Sequence, residues 1–88
     1  MYPEDEVANL NAANTALAKK DLTYAEKYLQ KAGDSAEADY ARGILKGMQG
    51  EYKAGLEYLY KAQEAGLPNV EPMIETFKSN MRFEGLTE

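Results

Sequence analysis

The 88-residue chain contains no cysteine, no histidine and no tryptophan. Without cysteine it forms neither a disulfide framework nor a reactive thiolate, and without histidine it lacks the commonest metal ligand and the commonest general base. No apolar run approaches the roughly 18 residues that a membrane-spanning helix needs. The acidic residues Glu4, Asp5 and Glu6 are unlike the basic start of a secretion signal. We therefore expect no metal, no cofactor and no membrane insertion.

Basic residues are also few: 10 lysines and arginines stand against 15 aspartates and glutamates, which gives a formal charge of −5. Such a chain repels phosphate backbones, so nucleic acid is not an expected partner. Ser35 and Ser79 have no histidine to activate them and no glycine-rich loop follows a strand pattern, so we expect no enzymatic activity. As it stands the chain is expected to be soluble and cytoplasmic, whereas a segment of an exported parent would be periplasmic or part of the cell envelope.

What the sequence does contain is helical periodicity. In the segment 50–68, small and apolar residues recur at spacings of three and four, and Gly66 and Pro68 are residues that close a helix and prevent its continuation. Asp21, the segment 34–37 and Asn69 have the composition of helix starts. No low-complexity linker interrupts the pattern. It predicts one all-α domain, residues 1–88, with five helices.

The chain also matches itself when it is shifted by 30 positions, so that Tyr28 and Leu29 align with Tyr58 and Leu59. Further aligned sets are Ala25 with Gly55, Ala32 with Ala62, Leu10 with Tyr40 and Val70, and Asn14 with Ile44 and Ile74. This predicts two helix–turn–helix units, at about 4–33 and 35–66, and a capping helix at about 69–83. A single unit leaves an apolar face uncovered, so the units are expected to stack.

These residues resemble the tetratricopeptide repeat family, whose 34-residue unit has large and small residues at fixed spacings. The second unit carries the pattern in Tyr40, Gly43, Ile44, Gly47, Gly55, Leu59 and Ala62. The shorter period and the lack of tryptophan depart from it. The resemblance implies a right-handed stack of helix pairs that binds a protein or peptide partner on the concave face of its first helices. The turns at 50–52 and 65–68 also resemble short repeats within larger exported bacterial proteins.

Mapped onto this chain, the resemblance implies a peptide groove lined by the first helix, the third helix and the capping helix. Its residues would be Asn11, Thr15, Ala41, Leu45, Met48, Glu71, Glu75 and Lys78. Leu45 and Met48 fit equally well as core residues. In the groove interpretation, Leu45→Glu abolishes partner capture without unfolding the chain. The alternative function is a purely structural repeat segment without a groove ligand, and self-association through an uncovered end is a third.

Two further patterns carry expectations. Gly43 and Gly47 lie inside a predicted helix, where each costs about 1 kcal/mol relative to alanine. We expect them to permit close approach of the segment 50–66 with its tyrosines, and the alternative is a ligand backbone in the same place. Of the seven tyrosines, Tyr24 and Tyr60 are predicted to be exposed.

Overall fold

The computed structural model describes residues 5–83, and these form five α-helices and no strand. The helices are α1 (Glu6–Ala18), α2 (Leu22–Leu29), α3 (Ala36–Met48), α4 (Tyr52–Glu64) and α5 (Glu71–Phe83). The prediction of an all-α chain with five helices is confirmed. Residue 4, at the predicted start of the first unit, lies outside the described residues. Within residues 5–83, no helix is both long enough and apolar enough to span a membrane.

Short polar side chains determine where three of the helices begin. The Asp5 carboxylate accepts hydrogen bonds from two backbone N–H groups in the first turn of α1, at 3.0 and 3.3 Å. Asp21 does the same for one N–H of α2 at 3.3 Å, and the Ser35 hydroxyl for one N–H of α3 at 3.0 Å. These amides have no partner inside their own helix, so the caps stabilise each start. Asn69 lies two residues before α5 and adopts a left-handed backbone, with φ 65°.

The first two helix pairs follow the same backbone path, 30 residues apart. α1 and α3 begin at residues 6 and 36 and end at 18 and 48, and α2 and α4 begin at 22 and 52. In the turn inside each pair, the N–H of Asp21 or Glu51 donates to the carbonyl five residues earlier, at 2.8 Å in both cases. The residue before it is left-handed in both turns, Lys20 with φ 60° and Gly50 with φ 82°. The two turns are therefore the same structure built from different side chains.

The correspondence ends in the second half of α4. That helix has 13 residues where α2 has eight. Because the loops 30–35 and 65–70 that follow them are of equal length, α5 begins 35 residues after α3 rather than 30. Ile44 is therefore in the middle of α3, whereas Ile74 is in the first turn of α5. The predicted alignment of Ile44 with Ile74 is wrong.

Arg42 stabilises the C-terminal end of the short helix α2. Its Nη2 donates to the carbonyl of Leu29 at 2.9 Å and to the carbonyl of Gly33. Its Nη1 pairs at 3.3 Å with the carboxylate of Asp39, which is only 5% exposed. The arginine thus satisfies carbonyl groups that a helix end leaves free and also neutralises a buried carboxylate.

The buried side chains form two clusters of different character. The first joins α1, α2 and α3, and six of its nine buried residues are alanine. The second joins α4 to α5 and the loop before it, and its seven buried residues include only one alanine. Its larger members are Leu56, Leu59, Val70, Ile74, Phe77 and Met81. The first cluster therefore depends on close helix approach, and the second on bulky side chains from α5.

Glycine makes room for these contacts in α3 and α4. A Cβ atom on Gly43 would lie 3.0 Å from the carbonyl oxygen of Gly55 and 2.9 Å from the side chain of Leu59. The predicted close approach of the segment 50–66 is confirmed at this glycine. At Gly47 the nearest atoms belong instead to the ring of Phe77 from α5.

Candidate functional site

The eight residues of the predicted groove fall into three classes of exposure. Asn11, Thr15, Met48, Glu71 and Glu75 are exposed, Lys78 is half-buried, and Ala41 and Leu45 are buried. Ala41 is 2% exposed and Leu45 is 5% exposed, and both belong to the core of α1, α2 and α3. These two side chains therefore do not line an open groove. Leu45 lies beside α2, whose Leu29 lines the same cavity.

Within the described residues, Thr15, Met48 and Lys78 lie in different surroundings. Thr15 lines a depression between α1 and α2, whereas Met48 lines a different one with Lys20 and Leu22. The ammonium group of Lys78 lies 5.9 Å from the centre of the Tyr60 ring on α4. Thr15 and Met48, two of the predicted groove residues, thus line separate depressions.

A depression does lie where α1, α3 and the loop before α5 meet, and we call it the inner depression. It has a volume of about 440 Å³. Its lining residues are Asn14, Glu37, Tyr40, Leu67, Pro68 and Asn69. α1 and α3 are first helices of their pairs, so the inner depression lies on the helices from which the groove was predicted. Different side chains line it.

The loop wall of the inner depression is held in place by the end of α4. Gly66 adopts φ 101°, and the N–H of Leu67 donates to the carbonyl of Ala62 at 3.1 Å, so the free carbonyl at the helix end is satisfied. Leu67 then packs against the second core cluster. The left-handed Gly66 that closes the helix was predicted from the sequence, and this prediction is confirmed.

The inner depression combines polar and apolar side chains. The exposed Asn14 amide can donate and accept a hydrogen bond, as an extended peptide backbone requires. Tyr40 is half-buried and packs against the second core cluster, so its ring has a fixed position. Leu67 and Pro68 add an apolar wall, while the exposed Glu37 adds negative charge.

A second depression, which we call the outer face, lies between α1 and α2 and has a volume of about 490 Å³. Its lining residues are Ala12, Thr15, Ala16, Lys19, Asp21, Tyr24 and Tyr28. The rings of Tyr24 and Tyr28 stack with centroids 6.4 Å apart. Tyr24 is 52% exposed and Tyr60 is 36% exposed, which confirms the prediction for both tyrosines.

The sequence-based prediction missed the inner depression because it selected other faces of α1 and α3. On α1 and α3 it selected Asn11, Thr15, Ala41 and Leu45, whereas Asn14 and Tyr40 line the observed depression. One position along an α-helix is a rotation of about 100°, so Tyr40 and Ala41 face different surroundings. The sequence signal that could have indicated the right face was the large aromatic Tyr40 beside the small Ala41. Leu67 was read only as part of a helix stop.

The comparisons with known proteins add no relative. No family model matches the chain, and no curated protein and no solved structure is detectably similar to it.

Proposed function

We propose that this chain is a non-enzymatic protein-interaction module that binds an extended segment of a partner protein in the inner depression. In this proposal the helices form a right-handed stack of pairs of the tetratricopeptide repeat type, and α5 is the capping helix. Support comes from the sequence resemblance and from the two helix pairs with the same backbone path 30 residues apart.

The observation that carries the proposal is the composition of the inner depression. Asn14 offers an exposed amide, and Leu67 and Pro68 offer apolar surface within the same depression of about 440 Å³. Peptide recognition typically combines hydrogen bonds to the backbone with apolar contacts to side chains.

The charge of the depression indicates which segments it prefers. Glu37 is exposed at its edge, and the whole chain carries a formal charge of −5. A segment with lysine or arginine beside an apolar residue complements this surface, whereas an acidic segment is repelled.

The experiment is selection of peptides from a displayed random library on the full 88-residue chain. Asn14→Ala is expected to weaken binding of a selected peptide by about three- to tenfold, the ~0.5–1.5 kcal/mol of a hydrogen-bonding side chain. The matched control is Asn11→Ala, because Asn11 is an exposed asparagine on the same helix that does not line the inner depression. It is expected to change the affinity by about twofold or less.

Equal effects of the two substitutions would contradict the proposed site, and a larger effect of Asn11→Ala would favour the groove predicted from the sequence. Both asparagines are exposed, so neither variant is expected to unfold.

The alternative is a structural repeat segment that has no groove ligand. The burial of Ala41 and Leu45 favours it, because side chains occupy the place where the groove was predicted. Under this alternative the library yields no peptide whose binding depends on Asn14.

A further inference from the structure

The outer face has a counterpart inside the molecule. A narrow cavity lies between α2 and the second helix pair, α3 and α4. Four residues of that pair line it, and each lies 30 positions after a residue that lines the outer face. The pairs are Ala12 with Arg42, Thr15 with Leu45, Ala16 with Lys46 and Tyr28 with Tyr58. The outer face of the first pair is therefore equivalent to the face that the second pair turns toward α2.

In the second pair this face is covered. Glu26 and Leu29 of α2, with Gln30 directly after it, line the other side of the cavity, whose volume is about 180 Å³. In the part of the chain that the structure describes, nothing covers the outer face, and its depression has a volume of about 490 Å³. Leu45 is 5% exposed as a result, whereas Thr15, at the equivalent position, is exposed.

We propose that the outer face binds one amphipathic α-helix of a partner protein, in the position that α2 occupies on the second pair. The helix would place a leucine against Thr15 and Tyr28, as α2 places Leu29 beside Leu45 and Tyr58. This is a different surface from the inner depression, so the proposal stands or fails independently of the proposed function.

The differences between the two faces describe the partner helix. The guanidinium group of Arg42 donates hydrogen bonds to the carbonyl groups at the end of α2. Its counterpart on the outer face is Ala12, whose side chain has no hydrogen-bond donor. A helix bound there is free to continue past Ala12, so it can be longer than the eight residues of α2. The exposed ring of Tyr24 replaces Ala54 and extends the contact surface along it.

The partner is a different protein rather than a second copy of this chain. Among the side chains described, residues 5–82, the large exposed apolar ones are Val7, Tyr24, Met48 and Tyr60, one on each of the first four helices. In that part of the chain no helix offers a free leucine stripe, and Leu29 itself is only 3% exposed.

The test uses a peptide with the sequence of residues 21–33, kept helical by a lactam between Thr23→Glu and Lys27, which are both solvent-exposed positions of α2. The peptide is titrated into the isotope-labelled full chain, and backbone amide shifts are followed by NMR. We expect shifts confined to the outer face, centred on Thr15, Lys19 and Tyr24. The same peptide with Leu29→Glu is expected not to bind.

Two variants of the chain complete the test. Thr15→Arg is expected to weaken binding by about tenfold or more, which is ~1.4 kcal/mol. Thr76→Arg is the matched control, because Thr76 is also exposed and its hydroxyl also donates to the carbonyl four residues earlier, at 3.0 Å against 3.1 Å for Thr15. It is expected to leave binding unchanged.

Several results would overturn the proposal. One is the absence of amide chemical-shift changes at millimolar peptide, and another is equal binding of the Leu29→Glu peptide. A third is chemical-shift changes centred on Arg42 and Lys46, which would mean that the peptide displaces α2. Sedimentation of the free chain as a dimer that Thr15→Arg converts to a monomer would assign the outer face to a second copy and would equally overturn it.

Discussion

The two helix pairs of this protein have the same backbone path and different neighbours. α2 covers one face of the second pair, while none of the described residues 5–83 covers the equivalent face of the first pair. Position 45 is accordingly a buried leucine, and position 15 is an exposed threonine. Whether a residue belongs to the core is therefore decided by the element that packs beside it, and not only by its place in a repeating pattern.

The two pairs also bring their helices together with different side chains. In the first pair Ala13 and Ala25 are both fully buried, whereas the second pair has Gly43 and Gly55 at the equivalent positions. The smaller residues of the second pair leave space for the ring of Phe77, which meets Gly55 and forms an edge contact with Tyr52 at 5.6 Å. The glycines of the second pair therefore serve α5 as well as α3 and α4.

The largest expected effect distinguishes the two equivalent positions 45 and 15. Leu45→Glu removes a buried leucine and places a carboxylate in the core, so we expect a loss of about 4 kcal/mol in the free energy of unfolding. Thr15→Glu lies on the open face and is expected to change it by about 0.5 kcal/mol or less. Urea denaturation of both variants measures the difference. Similar losses would mean that the two faces are not covered differently.

This prediction replaces the expectation that Leu45→Glu would abolish partner capture without unfolding. That expectation required an exposed Leu45, and its side chain is 5% exposed.

An intermediate effect is expected where the second pair has glycine and the first has alanine. Gly55→Ala gains about 1 kcal/mol in helix propensity. Its new methyl would lie 2.6 Å from the Phe77 ring and 2.9 Å from the carbonyl oxygen of Gly43, and such overpacking costs about 1–3 kcal/mol. We expect a net loss of about 1 kcal/mol by thermal denaturation, and a loss also for the reciprocal Ala25→Gly. An increase in stability for Gly55→Ala would show that the ring does not occupy this space.

The smallest effect is expected in the two matching turns. Lys20 adopts φ 60° where the second pair has Gly50, and a left-handed backbone is unfavourable for lysine. Lys20→Gly should therefore raise the free energy of unfolding by about 0.5–1 kcal/mol. Gly50→Lys should lower it by a similar amount, because the space around Gly50 is open and only the backbone resists the change. Opposite signs in the two melting curves are the expected outcome, and equal signs would contradict the equivalence of the turns.

The fold could be predicted from the sequence further than the site could. Helical spacing, the caps Asp21 and Ser35, and Gly66 depend on neighbours in the chain, so these local signals located the five helices. The alignment by 30 residues held through the first half of α4 and failed at α5. α2 is shorter than α4 and ends at carbonyl groups that Arg42, which is distant in sequence, satisfies.

The site was predicted less well because exposure depends on packing between helices. Leu45 matched a groove pattern and a core pattern equally, and only the position of α2 decides between them. Asn14 and Tyr40 were assigned to repeat positions, and nothing in the sequence alone indicated that the loop 65–70 would complete a depression with them.

The difference in cover between the two equivalent faces is tested most directly by thiol labelling, since the chain has no cysteine of its own. Thr15→Cys and Leu45→Cys variants would each react with a soluble maleimide under native conditions. We predict that the thiol at position 15 reacts as fast as in the unfolded chain. The thiol at position 45 should react at least about 100-fold more slowly, because it must wait for local opening. Comparable rates at the two positions would contradict it.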